Sequence, residues 1–336
     1  MKAKRENIVS KERHRLEDVL PLEVPYSLAI DPCNLCNFKC KFCAMQSSEE
    51  GRSYKKQFMD FNLYKKIIDD LSKMSAKLKV LRLSGQGEPL LNPNIVEMIS
   101  YAKKKEVADF IEIVTNGSQF NPEFNGRLVE SGIDRIRISV EEVTEQGYSE
   151  MAGRKINFEE FVANIKDLHD RSGDKCEIYI KIVDAAVDTE EKRKLYYDIF
   201  EEICDRIWID QVIPLWSDYE ELNSSFDIKQ IGLHGQKMQQ VKICPYPFYN
   251  LIINPDGEVT ACCADWKRKL VMGDLKEKSF EEIWNGTVLR TFWADLLKGD
   301  KNKYEMCAKC VLPMYDCNDN IDEFGQTILE RLEKQK

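Results

Sequence analysis

The chain has 336 residues and a formal net charge of −9. That is long enough for a main domain with a smaller companion, and too acidic to favour a nucleic-acid partner, because phosphate binding rests on clustered Lys and Arg. No stretch approaches the roughly 18 apolar residues of a membrane span, and residues 1–15 are polar, with no signal-like apolar segment, so the expected setting is the cytoplasm.

Residues 1–25 read as a lead-in with a short helix over 11–19, broken by Pro21 and Pro25. A first strand over 26–30 runs into a cysteine loop, and 44–59 read as a long polar, mobile connection. Helix and strand periodicities then alternate. Helices are expected over 61–74, 92–105, 122–131, 158–171 and 189–204, and strands over 80–84, 110–115, 135–140, 177–183 and 206–213. Strict alternation predicts an α/β fold, a partial six-stranded (β/α)6 TIM-like barrel over 26–213, with its active site at the C-terminal strand ends. Residues 214–243 read as a linker and 244–318 as a small cysteine-rich α+β domain. There Asn254-Pro255-Asp256-Gly257 marks a hairpin between 251–253 and 258–261, with helices over 279–284 and 287–297. A terminal helix is expected over 319–335.

Twelve cysteines in a cytoplasmic setting point to metal or redox chemistry rather than disulfides. Cys36, Cys40 and Cys43, spaced C-x3-C-x2-C after the first strand, can face one metal centre. Three thiolates on a four-iron cluster leave one iron open for a ligand. A zinc knot completed by Cys33 is the alternative. Cys244, Cys262, Cys307 and Cys310 form a second set, which closes either a four-iron cluster or a zinc site with no open position. Lys181 and Asp184, at the end of the fifth strand, bind substrate, move a proton, or are simply a solvated strand end.

The Cys36/Cys40/Cys43 loop, followed by Ser84-Gly85-Gln86-Gly87-Glu88-Pro89 and Thr115-Asn116-Gly117 at later strand ends, resembles the radical S-adenosylmethionine (SAM) superfamily. The stretches Cys244-Pro-Tyr-Pro-Phe, Asn254-Pro-Asp-Gly-Glu, Cys262-Cys263-Ala-Asp and Cys307-x2-Cys310 resemble its SPASM/twitch extensions. The resemblance covers about residues 26–317. It implies SAM and two 4Fe-4S clusters as cofactors, one SAM-binding and one auxiliary, and an external electron donor such as flavodoxin or ferredoxin. It assigns Phe42 to a place near adenine. Gly85, Gln86, Gly87 and Glu88 fall to the SAM amino group, and Asn116, Ser139 and Arg154 to the rest of SAM. Gln86 stands where the family has a glycine. Six cysteines follow residue 240 where a full SPASM extension has seven, so a twitch-like, single-cluster version is expected. Cys263 and Cys317 are then left over, as incidental thiols or as hydrogen-atom donors of an epimerase. Members with one auxiliary cluster include aminocyclitol dehydrogenases and sugar epimerases. With only about 30 residues before the first cysteine there is little room for a leader-peptide module. The expected activity is therefore hydrogen abstraction from a small hydroxylated substrate (sugar, nucleotide sugar or aminocyclitol), giving dehydrogenation or epimerisation. The alternatives are peptide modification and a non-catalytic zinc protein.

Overall fold

The computed structural model describes residues 2–7, 14–215, 225–316 and 319–335. Its strands are β1 (Ser27–Ile30), β2 (Leu78–Leu83), β3 (Ala108–Thr115), β4 (Arg135–Ser139), β5 (Glu177–Val183), β6 (Arg206–Asp210), β7 (Asn250–Ile253), β8 (Glu258–Thr260) and β9 (Val271–Asp274). They form one sheet in the order β6-β5-β4-β3-β2-β1-β7-β8-β9. β1 to β6 are all parallel, as crossover helices require. The crossovers are Phe61–Leu71, Ile95–Lys105, Pro122–Glu130, Phe158–Ser172 and Glu190–Phe200. Asp60, Asn121, Asn157 and Thr189 cap four of them, each accepting from first-turn N–H groups. Among the described residues no helix is long and apolar enough to cross a membrane.

The period-2 alternation sorts the side chains. Ile136 and Ile138 of β4, and Ile178, Ile180 and Ile182 of β5, are fully buried, on the face toward the crossover helices. Arg135, Arg137, Tyr179 and Lys181 alternate with them, so the concave face carries charge. There Glu112 accepts from Arg82 at 2.6 Å and lies 3.3 Å from Arg135 and 3.5 Å from Arg137.

The barrel and the cysteine-rich segment share this sheet. β7 pairs in parallel with β1, from Ser27↔Asn250 to Ile30↔Ile253, and β8 and β9 continue it antiparallel. One apolar core also runs through both, from Leu28 and Ile30 to Phe248, Trp284 and Trp293.

Several expectations change, among them the lead-in helix, which spans only Leu16–Val19 among the described residues. The 44–59 connection contains two short helices, Ala44–Ser47 and Glu49–Ser53. A helix over Glu145–Met151, capped by Thr144, and the strand β9 were not expected. The terminal helix begins only at Gly325, after a 3-10 turn over Asp322–Phe324. The Glu145–Met151 helix packs through Tyr148 on Phe38, a contact distant in sequence that local periodicity does not carry.

Candidate functional site

The cysteine loop leaves β1 at its C-terminal end. Three neighbours hold it. Gly87 packs on it so closely that a Cβ there would lie 2.3 Å from the carbonyl oxygens of Cys33 and Leu35. The Glu88 backbone N–H donates to Leu35 O at 2.6 Å, and the Cys33 thiol donates to Glu88 O at 3.0 Å. Cys33 is thus fully buried against the second loop. On the other side, the N–H groups of Lys39 and Lys41 donate to Ala152 and Met151, at the end of the unexpected helix. The Asn116 side-chain amide donates to Asn37 at 3.0 Å, and its nitrogen lies 3.9 Å from the Cys36 sulfur.

Much of the expected SAM-binding stretch therefore acts on the loop itself. The Glu88 carboxylate accepts from the Thr115 hydroxyl (2.6 Å), the Asn116 N–H (2.7 Å) and the Leu90 N–H (3.0 Å). Burial still pushes its carboxyl up to about 7, against those bonds. At Gly85 a Cβ would meet the Asp31 carboxyl at 2.2 Å, and the Gln86 N–H donates to that carboxylate at 2.9 Å. The Gln86 side chain donates to Trp266 O at 3.1 Å, and its Oε1 is buried without a partner among the described residues. Phe42 is half-buried against the main core. Ser139 lies at the end of β4 in register with Lys181. Arg154 is exposed, next to Gly153, whose position is stacked on Lys39.

The donor sets fit clusters. Burial pushes the Cys36 thiol up to about 12 and raises those of Cys40 and Cys43, so the thiolates call for a cationic partner. Lys56 faces Cys43 and Cys36, and burial lowers its own pKa. The second set lines one cavity of about 40 Å³, where Cys244, Cys262, Cys307 and Cys310 meet apolar walls from Leu270 and Phe292. Among the described residues no three of His, Cys, Asp and Glu close on a single ion position. Zinc would draw its thiolates to roughly 2.3 Å of one centre, whereas a four-iron cube spreads them over separate irons.

Of the remaining expectations, Lys181 pairs with Asp210 at 3.2 Å. Asp184 is tied down structurally, accepting from Val212 N–H at 2.9 Å and pairing with Lys229 at 2.5 Å. Cys263 is exposed and close enough to Asp316 and Arg82 to feel their charges. Cys317 lies outside the described residues. The sequence reading missed Glu141, which touches Cys40 and lies near Lys181. It also missed the group Asp210, His234, Asp316 and Tyr246 at the barrel mouth. The alternation Arg-Ile-Trp-Ile-Asp in β6 placed Asp210 on the concave face. Nothing local announced His234.

The radical SAM superfamily model matches residues 30–192, and the iron–sulfur cluster-binding SPASM domain model matches 244–311. The chain belongs to the radical SAM superfamily. Its cofactors are SAM and two 4Fe-4S clusters. Among relatives, it is 24% identical over 325 residues to the tungsten-containing aldehyde ferredoxin oxidoreductase cofactor-modifying protein of Pyrococcus furiosus, covering 85% of this chain and 87% of that one. It is 34% identical to the GTP 3',8-cyclase of Aquifex aeolicus, over 42% of each chain. Among solved structures, BtrN in complex with AdoMet and 2-DOIA shares the fold at TM-score 0.57 and 18% identity, over 88% of this chain and 97% of that chain. Streptococcus suis SuiB bound to precursor peptide SuiA does so at 0.61 and 14%, over 92% of this chain and 74% of that chain.

Proposed function

We propose that this radical SAM enzyme removes a hydrogen atom from a small hydroxylated substrate, a sugar, nucleotide sugar or aminocyclitol, and oxidises it to a ketone. When bound, SAM and the clusters supply a 5′-deoxyadenosyl radical to take the hydrogen atom and an acceptor for the remaining electron. Cys36, Cys40 and Cys43 hold the SAM-binding cluster, and Cys244, Cys262, Cys307 and Cys310 the auxiliary one. Gly85 to Glu88, Asn116, Phe42, Ser139 and Arg154 shape the SAM site. An external flavodoxin or ferredoxin serves as reductant.

The observation that carries this reading is the barrel mouth. Lys181, Asp210, His234, Asp316 and Tyr246 crowd it with charged and hydroxyl groups. Such a lining suits a molecule dense in hydroxyls, because each polar group it buries finds a partner. The names of the relatives, a cofactor-modifying protein and a GTP 3',8-cyclase, also favour a small-molecule substrate. Epimerisation would use Cys263 or Cys317 as hydrogen donor. The exposure of Cys263 beside Asp316 and Tyr246 supports that variant.

The test is anaerobic turnover with dithionite and SAM. 5′-Deoxyadenosine should form faster with a matching aminocyclitol, hexose or nucleotide sugar, and the substrate should lose two mass units' worth of hydrogen, about 2 Da for oxidation. Epimer without mass change would select the cysteine variant. Turnover only on a peptide would sink the small-molecule reading.

A further inference from the structure

His234 lies outside both cysteine sets, in the segment that joins the two matched regions, yet it is folded into the barrel mouth. The Leu233 N–H donates to Tyr315 O at 2.8 Å, and Leu233 O accepts from Gln211 N–H at 2.7 Å. The His234 N–H donates to the Gln236 side chain at 2.8 Å. The ring is thereby fixed between two carboxylates. Nδ1 lies 2.8 Å from Asp210 Oδ1, and Nε2 lies 3.7 Å from Asp316 Oδ1.

The chemistry of Asp210 decides the tautomer. Its carboxyl is buried, yet Lys181 and His234 hold it down at about 2 despite that burial. The Trp208 indole N–H also donates to it at 2.8 Å. An ionised carboxylate only accepts, so Nδ1 must carry the hydrogen and donate. Nε2 is left with its lone pair. At 3.7 Å Asp316 is too far for a hydrogen bond to Nε2. Asp316 is itself held by the Tyr246 hydroxyl at 2.9 Å. An imidazole oriented at one nitrogen by a buried carboxylate, with the lone pair of the other left 3.7 Å from its nearest carboxyl, is the arrangement of a general base.

We propose that His234 Nε2 accepts the proton of the substrate hydroxyl whose carbon loses the hydrogen atom, with Asp210 as its positioning residue. This rests on the oxidation reading above. The step is a proton transfer alone. The O–H bond breaks, an N–H bond forms on Nε2, and the bonding pair stays on the substrate oxygen, so the step itself needs no oxidant. Position agrees with the role. Lys181, which pairs with Asp210, feels Glu141, which touches Cys40, and Tyr246 stands two residues from Cys244. A chain of contacts therefore links the ring toward both cysteine sets. The charged and titratable groups around it are Lys181 and Asp210 from β5 and β6, Arg137 from β4, Asp316 and Tyr246 from the cysteine-rich region, and Cys263 beyond them.

The test uses the reconstituted full chain, which has three histidines, His14, His169 and His234. Ring-¹⁵N NMR should show His234 as the Nδ1–H tautomer, a preference lost in Asp210→Asn. Diethyl pyrocarbonate should modify His234 at its Nε2 lone pair. A His234 in the Nε2–H form, or one inert while His14 and His169 react, overturns the proposal without any appeal to turnover. In the loaded enzyme, His234→Gln should lower ketone formation about 100-fold and abolish the acid limb of the pH profile, with iron content unchanged. Full ketone formation by His234→Gln overturns the role alone. A wild-type enzyme that oxidises none of the aminocyclitol, hexose and nucleotide-sugar probes overturns the oxidation reading, and the role with it, even if His234 reacts as expected.

Discussion

At Gly87 and Glu88 the chemistry begins with sterics. The sequence suggests glycines that admit a ligand and a carboxylate that meets an amine. The structure uses Gly87 to let the second loop touch the first, and the Glu88 carboxylate to satisfy three donors at the strand ends. Gly87→Ala should therefore disorganise the cysteine loop. Iron analysis should fall from about 8 to about 4 atoms per chain, with the auxiliary cluster retained; unchanged iron would show that the loop tolerates the methyl group. Glu112 supports a different prediction. Burial alone would raise its carboxyl, but Arg82, Arg137 and Arg135 hold it at about 2, below its ordinary 4.5. Its contribution is thus fully present above about 4.5 and is lost as pH falls through about 2. Glu112→Gln should cost about 3 kcal/mol at neutral pH, since it leaves guanidinium groups partly buried without their counter-charge. It should also flatten the loss of stability between pH 4.5 and 2. Urea midpoints measured across pH test both.

The elements show where local pattern suffices. The alternation of β4 and β5 and the helix start at Pro122 were legible because each acts within a few residues. The hairpin at residues 254–257 was legible for the same reason. Gly257 adopts φ +92, and a Cβ there would also press on Leu63 and Asp274 at 3.3 Å. Gly257→Ala should cost about 1–2 kcal/mol for the left-handed backbone, read as a lower unfolding temperature; no shift would mean that the turn relaxes freely. The helix Glu145–Met151 shows the opposite case. Its seven polar-rich residues carry little periodicity, and what holds it is Tyr148, packed 6.0 Å from Phe38 and 5.6 Å from Phe161. Phe38 lies 110 residues from Tyr148, outside any local window of sequence.

Across the whole molecule the two cysteine sets are joined, not merely adjacent in one chain. β7 completes the sheet beside β1. Trp266, from the loop after Cys262, packs with Ala44 and Met45 behind Cys43 and receives the Gln86 amide. Replacing Cys244, Cys262, Cys307 and Cys310 with Ala should remove about 4 irons while SAM binding persists, measured by equilibrium dialysis. If all iron is lost together, the sets fold as one cooperative unit.

By itself the sequence determined the parallel alternation, the two cysteine sets and the superfamily, because thiolate spacing and strand-end glycines are short-range constraints. Tertiary structure alone decided that the two halves share one sheet and that His234 comes to rest between Asp210 and Asp316, 24 residues one way and 82 the other. The physical reason is the same in both cases. Strand partners and buried ion pairs are chosen by which surfaces are left uncovered once the core has closed, and that choice is written in no single stretch of chain.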